Sequence, residues 1–254
     1  MPDPTPMMRQ YQEIKDRHRD KILFFRLGDF YEMFQNDARE ASRLLGLTLT
    51  HRQGEPMCGI PYHSAQPYIR KLLEAGRSIA VCEQITLPGA EKGIVKREVV
   101  DILTPGTLVE DGYLTSSASN HTVCLFLEAD LCALAAADLS TGEFWATHFR
   151  FQGRSEPLER ELLRFLPREI LIADEALQAY PFLSGIFQGT PTTVTRLPSW
   201  RFDRRAGHRR VCEHFGVLSL QAFGLGENSS EAAAAGALLE YWRSTHLAAP
   251  WATC

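Results

Sequence analysis

No Gly-Lys dipeptide occurs anywhere in the 254-residue sequence, so a phosphate loop of the G-x-x-x-x-G-K-[ST] type is excluded, and with it P-loop nucleotide hydrolysis by these residues. Long apolar runs are missing too. None approaches the roughly 20 residues needed to span a bilayer, and the opening "MPDPTPMMRQ" has neither a basic n-region nor an apolar h-region. A soluble, cytoplasmic protein is therefore expected. The six cysteines (Cys58, Cys82, Cys124, Cys132, Cys212, Cys254) are far apart, with no C-x-x-C and no Cys/His spacing suited to zinc. They read as reduced, mostly buried thiols. The eight histidines are equally scattered, and no metal site is expected. A basic excess is lacking as well. The formal charge is −4; residues 1–115 carry 15 Lys and Arg against 16 Asp and Glu, and the rest carries 12 against 15. Contact with a polyanion would have to come from a local patch or from a larger assembly.

What is present alternates between helix and strand periods. "TPMMRQYQEIKDRH" opens a helix with Thr5 as N-cap and Pro6 in the first turn, placing Met7, Tyr11 and Ile14 on one face. "KILFFRL" predicts a strand, Gly28-Asp29 a bend, and "FYEMF" a second strand. "NDAREASRLLG" predicts a helix capped by Asn36 or Asp37 and closed by Gly46. "LTLT" reads as a strand and "HRQGEPMCGIPYH" as a loop, after which Ser64 caps a helix running to Gly76. "SIAVCEQ" and "VKREVVDIL" complete a mixed α/β domain, closed by the turn "TPGT".

The small polar residues of "EDGYLTSSASNHT" mark a linker, giving a first domain over 1–112, a linker over 113–122 and a second domain over 123–254. Three strand candidates at hairpin spacing ("TVCLFLEA", "LCALAAADLS", "GEFWATHF") precede the helix "SEPLERELLRFL", the strand "EILIA", and helices near Arg209 and from Glu231 to His246. That order predicts a ribonuclease-H-like α/β domain. No internal repeat is visible, and the four alanines after Glu231 are the sole low-complexity tract.

One carboxylate stands out. In "RLGDFYEMF" Glu32 lies among two phenylalanines, a tyrosine and a methionine. In an extended segment Phe30, Glu32 and Phe34 share one face, while Tyr31 and Met33 turn into the core on the other. Phe30 and Glu32 then project side by side, about 7 Å apart, given the rise of an extended chain. A ring beside a carboxylate suits stacking on a flat group and hydrogen-bonding its edge. Core packing and solvation account equally well for an isolated aromatic and an isolated Glu in a strand.

The wider pattern is more specific. "TPMMRQY", "LFFRLGDFYEMF", "LTLTHR", "PMCGIPYH", "AVCEQI", "GIVKREVV" and "TPGT" occur in an order and spacing that resembles the DNA mismatch repair MutS family over the first 107 residues. The likeness continues more loosely through "DLSTGEF" and "PREILI" into that family's connector domain. The resemblance implies that Phe30 wedges into the minor groove at a mispaired base and that Glu32 hydrogen-bonds to that base. An ionised Glu near phosphates needs a base N–H donor, or must itself take up a proton. The resemblance also implies double-stranded DNA with mismatches or small loops as ligand, and a MutS dimer partner and MutL as protein partners. ATP and Mg²⁺ would be bound in a separate ATPase domain. Such chains continue into lever, clamp and ATPase domains, so this one reads as an N-terminal fragment: a DNA-binding module without cofactor or enzymatic activity of its own.

Arg52, Met57 and His63, in or beside the Gly/Pro-rich loop, are further candidates for DNA contact. Lys96 and Arg97 are expected on a solvated strand face. Cys58 and Cys82 are expected to be buried. The alternative function is a metal-dependent nuclease of ribonuclease H type, with Glu128, Asp138 and Glu143 as ligands on adjacent strands, although Asp138 before Ser140 and Thr141 also suits a turn.

Overall fold

The structure is a computed structural model that describes residues 5–85, 95–107, 120–188, 190 and 192–245. The chain forms two compact units, one up to Pro105 and one over Gly106–Ser244. Most of the expected linker falls outside the described residues.

The first unit contains helix α1 (Pro6–Arg17), strands β1 (Ile22–Leu27) and β2 (Phe30–Phe34), helix α2 (Gln35–Leu45), strands β3 (Thr50–Arg52) and β4 (Glu55–Pro61), helix α3 (Gln66–Glu74), and strands β5 (Ile79–Gln84) and β6 (Arg97–Leu103). They build one six-stranded sheet in the order β3-β4-β2-β1-β5-β6. Only the β1–β5 pair is parallel.

Alternation along the strands sorts side chains onto two covered faces. On one, Leu23, Phe25, Phe34, Ala80 and Cys82 pack under Met8, Tyr11 and Ile14 of α1. Tyr11 meets Phe25 and Phe34 edge-on, and its hydroxyl donates to the Phe34 carbonyl at 3.3 Å. On the other face lie Phe24, Tyr31, Met33, Cys58 and Ile60, all buried, on the side covered by α2 and α3. Thr5 caps α1 as expected, its hydroxyl accepting from the Met8 N–H.

Several local expectations change. Neither Asn36 nor Asp37 caps α2, which starts at Gln35. Asp37 turns inward instead, accepting from the Leu23 N–H at 2.9 Å and pairing with Lys15 at 2.8 Å. Ser64 does not cap α3; its hydroxyl bonds back to the Pro61 carbonyl, and the helix opens at Gln66 with Pro67 in its first turn. Only Thr50 of "LTLT" is in a strand, and the expected loop after it is the β3–β4 hairpin. Gln53 and Gly54, with φ of 53° and 85°, make its two-residue turn, the positive-φ pair that matches the twist of a hairpin. Arg97 is buried rather than solvated. Its Nε donates to the Arg26 carbonyl at 2.6 Å, its Nη1 to Gln10 Oε1 at 3.0 Å, and its guanidinium lies 5.0 Å from the Phe25 ring centroid. With the Val95 carbonyl, which accepts from Nη1 at 2.9 Å, three acceptors and one ring replace the water an arginine ordinarily keeps.

The second unit comprises β7 (Thr122–Glu128), β8 (Leu131–Asp138), β9 (Glu143–Arg150), α4 (Glu156–Phe165), β10 (Glu169–Ala173), α5 (Ala176–Ala179), α6 (Phe182–Gln188), β11 (Thr193–Leu197), α7 (Arg204–Phe215) and α8 (Ser230–Thr245). The sheet order is β11-β10-β7-β8-β9. β7, β8 and β9 form an antiparallel meander, while β10 and β11 run parallel to β7. This is the arrangement that a ribonuclease-H-like reading calls for, with α5, α6 and β11 added to the elements legible beforehand. Leu158, Leu162 and Phe165 of α4 and Leu183 and Ile186 of α6 close one core over Val123, Leu125, Leu134 and Ala136. Helices α7 and α8 cross at Gly207 and Gly236, where a Cβ at Gly236 would stand 2.2 Å from the Gly207 Cα. Only glycine permits that approach.

Candidate nucleic-acid interface

The β1–β2 hairpin turns at Gly28-Asp29, where Gly28 takes a φ of 58° that favours glycine. Two bonds fix the turn: the Tyr62 N–H donates to the Asp29 carbonyl at 3.0 Å, and Arg26 Nε donates to the Gly28 carbonyl at 2.5 Å. Arg26 is itself held, its guanidinium 3.4 Å from the Tyr62 ring centroid and Nη1 3.6 Å from Glu83. The tip is therefore a braced turn.

Phe30 follows this turn directly and is 47% exposed, whereas Tyr31, Met33 and Phe34 of the same strand are buried. A large ring left in water at a braced tip contributes little to the core. Glu32, two residues on and on the same face, is only 9% exposed. It lies between Phe25 of β1 and Gly59 of β4 in the sheet register.

Its charge is not left alone. Arg52 Nη1 donates to Glu32 Oε1 and Oε2, each at 2.7 Å. Arg52 stands on the edge strand β3, one strand beyond β4, and its side chain is 42% exposed. Gly59 is the register partner of Glu32, and a Cβ there would make an ordinary contact with Glu32 Cγ at 3.5 Å. The register puts Thr50 opposite Met57 and Arg52 opposite Glu55, so Arg52, Gly59 and Glu32 all belong to one face. The Thr5 hydroxyl reaches Gln53 Oε1 at 3.0 Å, tying the hairpin turn to the start of α1.

Of the five residues singled out from sequence, the fold thus joins Glu32 and Arg52 directly and sets Phe30 beside them on the same face. Met57 is partly buried and packs against the core under α1. His63 is exposed in the short helical turn Tyr62–Ser64, edge-on to Tyr62. Tyr62, which the sequence did not mark as a site residue, braces the tip; its place directly after Pro61, the register partner of Phe30, is the signal that a correct strand assignment would have supplied.

The acids of the nuclease alternative are not gathered. Asp138 and Glu143 are register partners, but Glu128 pairs with Leu131 at the opposite end of the β7–β8 hairpin. Glu128 bonds Arg204, and Glu143 lies 3.5 Å from His121 Nε2. Asp138 closes the turn after β8, accepting from the Ser140 N–H at 2.8 Å, the Ser140 hydroxyl at 2.6 Å and the Asn120 N–H at 3.1 Å. Among the described residues no cluster of three or more His, Cys, Asp or Glu is placed to hold a metal ion.

Comparison of the sequence with known proteins matches the chain to one family. The family description "MutS domain I" matches residues 5–112 and "MutS domain II" residues 118–251. The DNA mismatch repair protein MutS of Treponema denticola is 43% identical over 248 residues, covering 93% of this chain and 28% of the relative. The proteins of the same name from Acetivibrio thermocellus and Alkaliphilus oremlandii are 40% and 38% identical over 248 residues, each covering 95% of this chain and 28% of the relative. The chain spans little more than a quarter of the length of these relatives. With the two descriptions together accounting for nearly all of its residues, the chain belongs to the MutS family and carries that family's domains I and II.

Proposed function

We propose that the chain recognises mispaired bases in double-stranded DNA, with Phe30 as a wedge entering the minor groove and Glu32 as the acceptor for an N–H of the displaced base. The observation that carries this reading is the exposed ring of Phe30 at a braced hairpin tip, beside a carboxylate on the same face. Inserting an apolar wedge costs a few kcal/mol of unstacking per step, and a mispaired step is already easier to unstack and kink. Discrimination then rests on deformability, with no particular sequence read. Glu32 adds an orientation requirement, since only a base that presents a donor rewards it.

The names of the relatives support a place in DNA mismatch repair. A MutS dimer, MutL as partner and a cytoplasmic location are part of the same proposal. ATP and Mg²⁺ belong, in this reading, to a domain other than these two: the present residues include no P-loop motif, and no step is assigned to the nucleotide. Among the described residues no helix is long and apolar enough to cross a membrane.

The test joins this chain to the remaining domains of a full-length relative and compares the affinity for a G·T-containing duplex and its fully paired counterpart at one salt concentration. Preference for the mispaired duplex, lost in Phe30→Ala with the fold retained, supports the proposal. A chimera that does not distinguish the duplexes, or one whose preference survives Phe30→Ala, contradicts it.

A further inference from the structure

Glu32 is nearly buried, and its two oxygens converge on one nitrogen of a residue that sits two strands away. Two features of the sheet place the partners: the short edge strand β3 ends at Arg52, and the Gln53-Gly54 turn is tied to α1. A carboxylate rotates freely about its last bond. Two 2.7 Å bonds from one Nη1 remove that freedom and balance the charge that would otherwise face the DNA phosphates.

We propose that Arg52 is a positioning and specificity-determining residue that acts through Glu32. It holds the carboxylate in the orientation from which Glu32 meets a displaced base, and it lets Glu32 approach the duplex as half of a neutral pair. The inference rests on the base-reading role proposed above for Glu32. It goes further in assigning the specificity to a pair of residues, one of which has no need to touch a base.

A double-mutant cycle in the full-length chimera tests it, with the ratio of mispaired to paired affinity as readout. Contacts to phosphate change both affinities alike and cancel in this ratio. The expected result is that Arg52→Gln lowers the ratio several-fold in the presence of Glu32, that Glu32→Gln lowers it at least as much, and that Arg52→Gln in the Glu32→Gln background changes it no further. Arg52→Lys keeps the charge and recovers part of the ratio. Arg52→Gln leaves the nearly buried Glu32 carboxylate without its cation and should lower the melting temperature, but the ratio does not depend on the amount of folded protein. Two outcomes overturn the inference while leaving Glu32 as base reader: an Arg52→Gln ratio equal to the parent's, which makes Arg52 a plain phosphate contact, or a further fall in the Glu32→Gln background, which makes its action independent of Glu32. If Glu32→Gln itself leaves the ratio unchanged, the base-reading role fails and the inference falls with it.

Discussion

Replacing Glu32 by Gln changes one charge and almost no volume, so its consequences can be worked out in order. In the unliganded protein the Glu32–Arg52 pair is partly open to water on the arginine side. Exposed and half-exposed pairs contribute about 0–1 kcal/mol, so the melting temperature should hardly move. On DNA the substitution leaves the Arg52 charge unbalanced. One additional unit of neutralised phosphate charge steepens the dependence of log K on log salt by about 0.9. Binding to a fully paired duplex therefore tightens by roughly eightfold at 0.1 M relative to 1 M salt, applying that slope. On a mispaired duplex the same gain is opposed by exchanging a charged acceptor for an amide oxygen, a loss of about 1–1.5 kcal/mol between charged and neutral hydrogen bonds, or roughly 5- to 13-fold. Absolute affinity for the mismatch thus changes little, while the ratio of mispaired to paired affinity falls by that factor. Fluorescence anisotropy with both duplexes over a salt series measures slope and ratio together. An unchanged slope and ratio would refute the placement of Glu32 at the duplex; a steeper slope with an unchanged ratio would refute only its contact with the base.

Other consequences lie in the scaffold. Gly236→Ala places a methyl group 2.2 Å from the Gly207 Cα; forcing α7 and α8 apart should cost about 1–3 kcal/mol net, read as a lowered urea midpoint with little change in slope. Burial opposes ionisation of Asp138, but the Ser140 hydroxyl, the Ser140 N–H and the Asn120 N–H outweigh it and hold the carboxyl below its ordinary value of 3.8. Its contribution to stability is therefore complete above pH 3.8 and fades as the pH falls below that value. Asp138→Asn should cost about 1.5–3 kcal/mol at neutral pH and make acid unfolding shallower, without exposing any loss of metal-dependent cleavage, because the parent chain should cut no DNA with Mg²⁺ or Mn²⁺. Burial pushes the thiols of Cys58 and Cys82 up to about 11 and about 12, so at pH 8 both should resist a thiol reagent in the folded protein, while the more accessible Cys212 reacts first among the described cysteines.

Much of the first unit could be read from sequence because its signals are local. The switch from a 3.6- to a 2-residue period at Lys21 and the bend at Gly28-Asp29 placed the hairpin, and alternation alone put Phe30 and Glu32 on one face. The β3–β4 hairpin was not legible for equally local reasons. Gln53-Gly54 lacks the Asn or Asp that usually announces such a turn, and Pro56, Gly59 and Pro61 look like loop punctuation. Pro56 and Pro61 are tolerated in β4 because they stand near its ends, and Gly59 pairs with Glu32 in mid-strand, where a Cβ would meet the Tyr31 carbonyl and the Glu32 side chain, at 3.4 and 3.5 Å. With that hairpin missed, the partner of Glu32 could not be found, since 20 residues and two strand registers separate it from Arg52. Arg97 failed for a different reason: its partners, Gln10 and the Arg26 carbonyl, come from distant segments that only the fold brings together.

Phe30→Ala in the full-length chimera tests the wedge most directly. Stacking an aromatic side chain on a base is worth about 1–3 kcal/mol, so the affinity for a mispaired duplex should fall by roughly 5- to 150-fold, with little change for the paired duplex. Because the ring is nearly half exposed, thermal unfolding of the variant should stay close to that of the parent. An undiminished preference for mispaired DNA in a folded Phe30→Ala protein, or a variant that does not fold, would contradict the account.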